Sequence, residues 1–90
     1  MKLINWNPDK NQQLIKERGL SFESIVFHIN QGHILDDLKH PNQDKYPNQR
    51  VLVLNIDDYA YLVPYVENET EYFLKTVIPS RKATKQYLGD

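Results

Sequence analysis

The 90-residue chain contains no cysteine, which excludes a disulfide scaffold, a thiol nucleophile and any cysteine-ligated zinc or iron–sulfur centre. Glycine is scarce, at three residues, and the five prolines are scattered, so there is no low-complexity tract. With 40% hydrophobic and 11% aromatic residues, the composition is that of a globular chain rather than a disordered one. Long apolar segments are missing as well. The longest aliphatic run is Val51–Leu54, far short of the roughly 20 residues of a membrane span. Met1–Pro8 has no apolar core of signal-peptide length. The expectation is a soluble, cytoplasmic protein with no membrane partner, folded as one domain over residues 1–90.

Nor is there an excess of charge of one sign. Eleven Lys and Arg face twelve Asp and Glu, for a net charge of −1 and an isoelectric point near 6.3, which argues against a generic nucleic-acid binder. The charge is nevertheless segregated. Residues 57–71 carry Asp57, Asp58, Glu67, Glu69 and Glu71 without a cation, whereas residues 75–88 carry Lys75, Arg81, Lys82 and Lys85 without an acid. A local basic face is therefore compatible with the acidic total.

Leu3–Trp6 reads as a short strand. Asn7-Pro8 reads as an N-cap followed by proline at the first helical position, opening a polar helix with Leu14 and Ile15 facing inward and Gly19 ending it. Ser21 caps a second helix whose Phe22, Ile25, Val26 and Ile29 fall at i, i+3, i+4 and i+7, one apolar face. Phe27 projects away from that face, either beneath a loop or as an exposed apolar spot. Ile34-Leu35 begins a short strand, and residues 40–48, with two prolines, form a loop.

Arg50–Ile56, Tyr59–Val66 and Glu71–Ile78 then read as strands with short connections, hence an antiparallel meander. Asp57-Asp58 is a hairpin turn lacking the usual glycine, and Pro64 marks a bulge or an unpaired position. Tyr59, Tyr61 and Tyr65 share one face, a possible interaction surface. Ser80 caps a terminal helix, Arg81–Leu88. The order β-α-α-β-β-β-β-α predicts an α+β domain, two N-terminal helices packing on a curled antiparallel sheet, with a short C-terminal helix.

Three segments, Asn5-Trp6-Asn7-Pro8-Asp9-Lys10-Asn11, Glu17-Arg18-Gly19-Leu20-Ser21-Phe22-Glu23 and Ile78-Pro79-Ser80-Arg81-Lys82-Ala83-Thr84-Lys85, keep the order and approximate spacing of a known pattern. The chain resembles BrnT-like toxins over nearly its whole length. The resemblance implies a RelE-like fold, a ribonuclease that arrests translation without a cofactor, and a cognate antitoxin, a small DNA-binding protein encoded alongside. It departs from the pattern at Arg18, where the family usually has His. The alternative is a non-catalytic member of the same fold, acting as a binding or regulatory module through a protein partner.

Metal-independent RNA cleavage needs a base for the 2′-OH proton, cations for the pentacovalent phosphate and an acid for the leaving oxygen. Arg81 and Lys82 begin the terminal helix, where backbone N–H groups favour a phosphate. Arg50 opens the first long strand, within expected reach of that helix, at a position where the family has a basic residue. His40 is the acid–base candidate by residue type. Arg18, Lys45 and Lys85 are candidate substrate cations, and Tyr46 and Tyr87 candidate base-stacking rings. His33, Asp36, Asp37 and His40 have metal-ligating side chains, but strand alternation sends them to opposite faces, so no metal site is expected. Trp6 is read as packing the first helix on the sheet.

Overall fold

The computed structural model describes residues 2–89. Its elements are β1 (Leu3–Trp6), α1 (Pro8–Arg18), α2 (Phe22–Asn30), β2 (Ile34–Lys39), β3 (Gln49–Ile56), β4 (Tyr59–Glu67), β5 (Glu71–Leu74), β6 (Ile78–Pro79) and α3 (Arg81–Leu88). The strands form one sheet in the order β1-β5-β4-β3-β2, with β6 also on β4. The fold is α+β, as expected, but the sheet is mixed rather than antiparallel. The chain leaves β1 through two helices and returns to place β1 parallel to β5, Leu3 opposite Glu71 and Trp6 opposite Leu74.

The helix boundaries follow from their caps. The Asn7 side chain accepts from the Asp9 and Lys10 amides, and Gly19 closes α1 in the left-handed region at φ 68°, which costs glycine nothing. Ser21 and Ser24 cap α2 reciprocally. The buried Asn11 ties the two helices together: its Oδ1 accepts from the Phe22 amide at 2.8 Å and its Nδ2 donates to Glu23 at 2.8 Å. Leu14 is buried beside it, whereas Ile15 is 44% exposed. Neighbouring helical residues stand about 100° apart, and Asn11, three residues before Leu14, takes the inward place expected of Ile15.

The meander contains two irregularities. Tyr65 pairs with Leu74 and Leu62 with Ile78, so four steps on one strand face three on the other. The extra residue interrupts the strand expected over Glu71–Ile78 and leaves β5 and β6. Pro64 lies opposite the break, accepting from the Lys75 amide at 2.8 Å. Having no N–H to return, proline in a central strand needs such a bulge. In β2 the register shifts between Ile34 and Asp36. The Asp57-Asp58 turn holds both residues at positive φ, 53° and 64°, the conformation of a type I′ hairpin.

Each sheet face has its own core. Leu14, Phe22 and Ile25 pack on Leu54, Ile56, Val63, Tyr65, Leu74 and Val77, and Trp6 stacks on Phe22 at 5.6 Å. On the other face Val53 and Ala60 meet Ala83 of α3, with Leu35, Leu62 and Tyr87 around them. The tyrosine surface suggested on β4 is thereby corrected: Tyr65 is only 4% exposed and Tyr61 packs against the same core. Phe27 is exposed, the second of its two alternatives. No helix among the described residues is long and apolar enough to cross a membrane.

Candidate functional site

Strands β2 and β4 end, and β1, β3 and β5 begin, at one end of the sheet. There the 40–48 loop and the 68–70 turn rise around a cleft of about 560 Å³ whose lining includes Lys2, Lys39, Arg50, Glu67 and Glu69. Lys2 is paired with Glu67 at 2.6 Å. Lys39 and Glu69 are exposed and belong to no ion pair among the described residues. Gln43 and Asn48 of the loop add amide groups.

Arg50 is the fixed member of this site. It stands opposite Tyr65 in the β3–β4 ladder, on the face covered by α1 and α2. Its Nε donates to Asp37 Oδ1 at 3.1 Å and to the Tyr65 hydroxyl at 3.2 Å, and its Nη2 donates to the Asp37 carbonyl at 3.4 Å. Tyr65 in turn donates to the Asp37 carboxylate at 2.9–3.0 Å. Burial, reinforced by the hydrogen bond and charge of Asp37, pushes the Tyr65 hydroxyl up to about 12, so it remains a protonated donor. The bonds to Asp37 and Tyr65 hold the guanidinium more firmly protonated than usual. Two of its N–H groups are engaged, which leaves three of the five for a ligand. A guanidinium held in place by a carboxylate and a phenol is preorganised for an oxyanion.

The other expected site residues separate into groups. His40 stands beside the cleft but outside its lining. Its ring packs on Tyr46 at 4.4 Å, and its Nδ1 accepts from the Asn42 amide at 3.0 Å, which puts the proton of the neutral ring on Nε2. Lys45 lies over Tyr46 at 5.5 Å. Arg81 and Lys82 begin α3, capped by Ser80, and are exposed without an ion pair among the described residues. They are attached at Ala60, whose carbonyl accepts from the Ser80 amide and whose amide donates to Thr84. Ala60 and Tyr65 are five residues apart on β4, about 16 Å at roughly 3.3 Å per residue, and α3 lies on the opposite face from Arg50. The expected convergence of Arg50 with the terminal helix is therefore corrected to a separation.

Tyr87 packs α3 down, and its hydroxyl donates to Asp36 at 2.6 Å. That bond holds the Asp36 carboxyl below, and the Tyr87 hydroxyl above, their ordinary values. Lys85 is exposed further along α3, and Arg18 is exposed at the end of α1. Asp36 meets Tyr87 and Asp37 meets Arg50 on opposite faces, as alternation requires. No cluster of three or more metal-ligating side chains occurs among the described residues.

Sequence reading missed Lys39, Glu69 and the Asp37–Tyr65 pair. The pairing of Arg50 with Tyr65 follows from the two-residue turn at Asp57-Asp58, because position sums across that hairpin are constant. Comparison of the chain with family models, with curated proteins and with solved structures finds no match in any of the three.

Proposed function

We propose that the protein is a BrnT-like toxin of the type II class with a RelE-like fold, a small ribonuclease that works without a metal at the Arg50 cleft. Arg50 and Lys39 hold the scissile phosphate. The Glu69 carboxylate removes the 2′-OH proton, the 2′-oxygen attacks phosphorus, and the bond to the 5′-oxygen breaks as Lys39 supplies its proton. The products are a 2′,3′-cyclic phosphate and a 5′-hydroxyl, and Glu69 and Lys39 then exchange their protons with solvent. The exposed cations Arg81, Lys82 and Lys85 receive an acidic segment of the antitoxin or the flanking RNA backbone.

The observation that carries this reading is the cleft itself, whose lining brings together the Arg50 guanidinium, held by Asp37 and Tyr65, with Lys39 and Glu69. The position of His40 outside the lining favours the second reading, a non-catalytic module that binds through a protein partner. The deciding measurement is cleavage of RNA by the purified protein in EDTA. Cyclic-phosphate ends, lost by at least about 10²-fold in Glu69→Gln as for other acid–base groups, support the ribonuclease. Intact RNA after incubation with folded protein supports the module.

A further inference from the structure

A second hollow, of about 210 Å³, opens on the α1–α2 face. Its walls include Ile29, Ile34, Leu52 and Tyr72, and its polar groups are the Asp37 carboxylate and the Tyr65 hydroxyl. The ribonuclease mechanism uses these two only to hold Arg50. The hollow adjoins the Arg50 cleft through two contacts. Arg50, in the cleft lining, donates to Asp37 at 3.1 Å and to Tyr65 at 3.2 Å. Lys2, also in the cleft lining, has its ammonium 5.2 Å from the centre of the Tyr72 ring. A phosphate on the free N–H groups of Arg50 and a ring in the hollow are therefore neighbours.

We propose that the hollow is a guanine-binding subsite, taking the base of a nucleotide whose phosphate lies on Arg50; the assignment rests on the ribonuclease reading of the cleft. Aliphatic walls with one aromatic ring and a few polar groups suit the flat faces of a base. The polar end selects among the bases because it can only accept. The single Tyr65 hydrogen is shared by the two Asp37 oxygens, at 2.9 and 3.0 Å, and the Tyr65 oxygen accepts from Arg50. Oδ1 of Asp37 also receives the Arg50 Nε. Among the described residues, Oδ2 receives only the shared Tyr65 hydrogen. It keeps a lone pair, on a side chain that is 41% exposed. Such a carboxylate attracts N–H groups and repels acceptor atoms. Guanine sets two donors side by side, N1–H and the 2-amino group. Adenine and cytosine place a ring-nitrogen acceptor beside the amino group, and uracil flanks its N–H with two carbonyls.

The test titrates the whole protein with guanosine and adenosine 3′-monophosphates, following heat and the methyl signals of Ile29, Ile34 and Leu52. Wild type is compared with Asp37→Asn and with Ile34→Trp, which fills the hollow from a side chain already 42% exposed. Melting curves verify that both variants fold. The guanine nucleotide should bind at least about tenfold more tightly than the adenine nucleotide and shift those methyl signals. Asp37→Asn, which adds an amide donor, should abolish the preference, and Ile34→Trp should weaken the guanine nucleotide by a similar factor. Competition by a short RNA containing one guanine marks RNA as the source of the base, and its absence marks a free guanine nucleotide. Absence of binding, equal affinity for the two nucleotides, a preference that survives Asp37→Asn, or methyl signals unmoved at saturation would each overturn the assignment. Guanine preference in a protein that leaves RNA intact would keep the subsite and refute the ribonuclease. Cleavage beside every base alike, with no preference among mononucleotides, would do the reverse.

Discussion

The two cationic corners of the molecule are built on opposite plans. At one end of the sheet, on the face of α1 and α2, Arg50 is held by Asp37 and Tyr65, and its hydrogen-bond partners fix its orientation. At the other end, on the opposite face, Arg81 and Lys82 lie exposed at the start of α3 with no ion pair among the described residues. A fixed cation stabilises charge that develops at one point, because no reorganisation is needed as the reaction proceeds. An exposed, mobile cation raises the local concentration of a polyanion and accelerates encounter, and salt screens its effect. On the proposed ribonuclease reading, chemistry belongs to the first corner and attraction to the second.

The largest expected effect is at the first corner. Arg50→Ala should lower kcat for RNA cleavage by about 10²-fold or more, the usual consequence of removing one preorganised donor to a transition-state oxyanion. It also removes a partly exposed ion pair, worth at most about 1 kcal/mol of stability. A folded Arg50→Ala protein that cleaves at the wild-type rate would transfer the chemistry to the α3 corner.

Tyr65→Phe examines the support beneath Arg50. The phenol donates to Asp37 and accepts from Arg50 while almost fully buried, so its loss should cost about 1–3 kcal/mol at neutral pH. A second signature appears in alkali. The hydroxyl titrates near 12 in the folded protein against 10.0 for the free side chain. Below pH 10 both states keep the proton and its full contribution is present. Between 10 and 12 only the folded state keeps it, so stability falls with rising pH, by about 2–3 kcal/mol in all. The phenylalanine variant has no such proton. Urea unfolding at pH 7 and pH 11 should therefore show the gap between wild type and variant narrowing in alkali. A gap that is constant with pH would mean that Tyr65 acts through packing alone.

The same two corners explain what was legible in the sequence. The caps Asn7, Ser21 and Ser80, the glycine ending α1 and the apolar spacing of α2 are local signals, and each stands where it was expected. The segments that carry the family resemblance prove to be joints of the fold: Trp6 stacks on Phe22, Asn11 binds the start of α2, and Thr84 bonds the Ala60 amide. Arg50 opposite Tyr65 could be counted from the hairpin turn. The addition of Asp37 could not, because a nine-residue loop and the irregularity at Ile34–Asp36 intervene, and neither fixes a register. The parallel pairing of β1 with β5 depends on how two helices route the chain, which no local pattern encodes. Lys39 and Glu69 are ordinary exposed residues until three separate connections bring them to one end of the sheet.

The smallest effect, and the one that sharpens the contrast most, is expected from Arg81→Ala. Arg81 follows the cap Ser80 directly, so its charge opposes the positive end of the helix dipole, an unfavourable arrangement of a few tenths to about 1 kcal/mol. Removing the guanidinium should leave the melting temperature unchanged or slightly higher. If Arg81 serves attraction rather than chemistry, kcat should stay within a few-fold of wild type. The cost should appear in KM for RNA and in the rate of association with the antitoxin, both by a few-fold at low ionic strength, and it should fade as salt is raised, since screening weakens the interaction of exposed charges separated by about 10 Å at 0.1 M. Arg50→Ala should show the reverse pattern, a loss in kcat that salt does not erase. A salt-insensitive loss of kcat in Arg81→Ala, with folding intact, would place the scissile phosphate at α3 and reverse the roles assigned to the two corners.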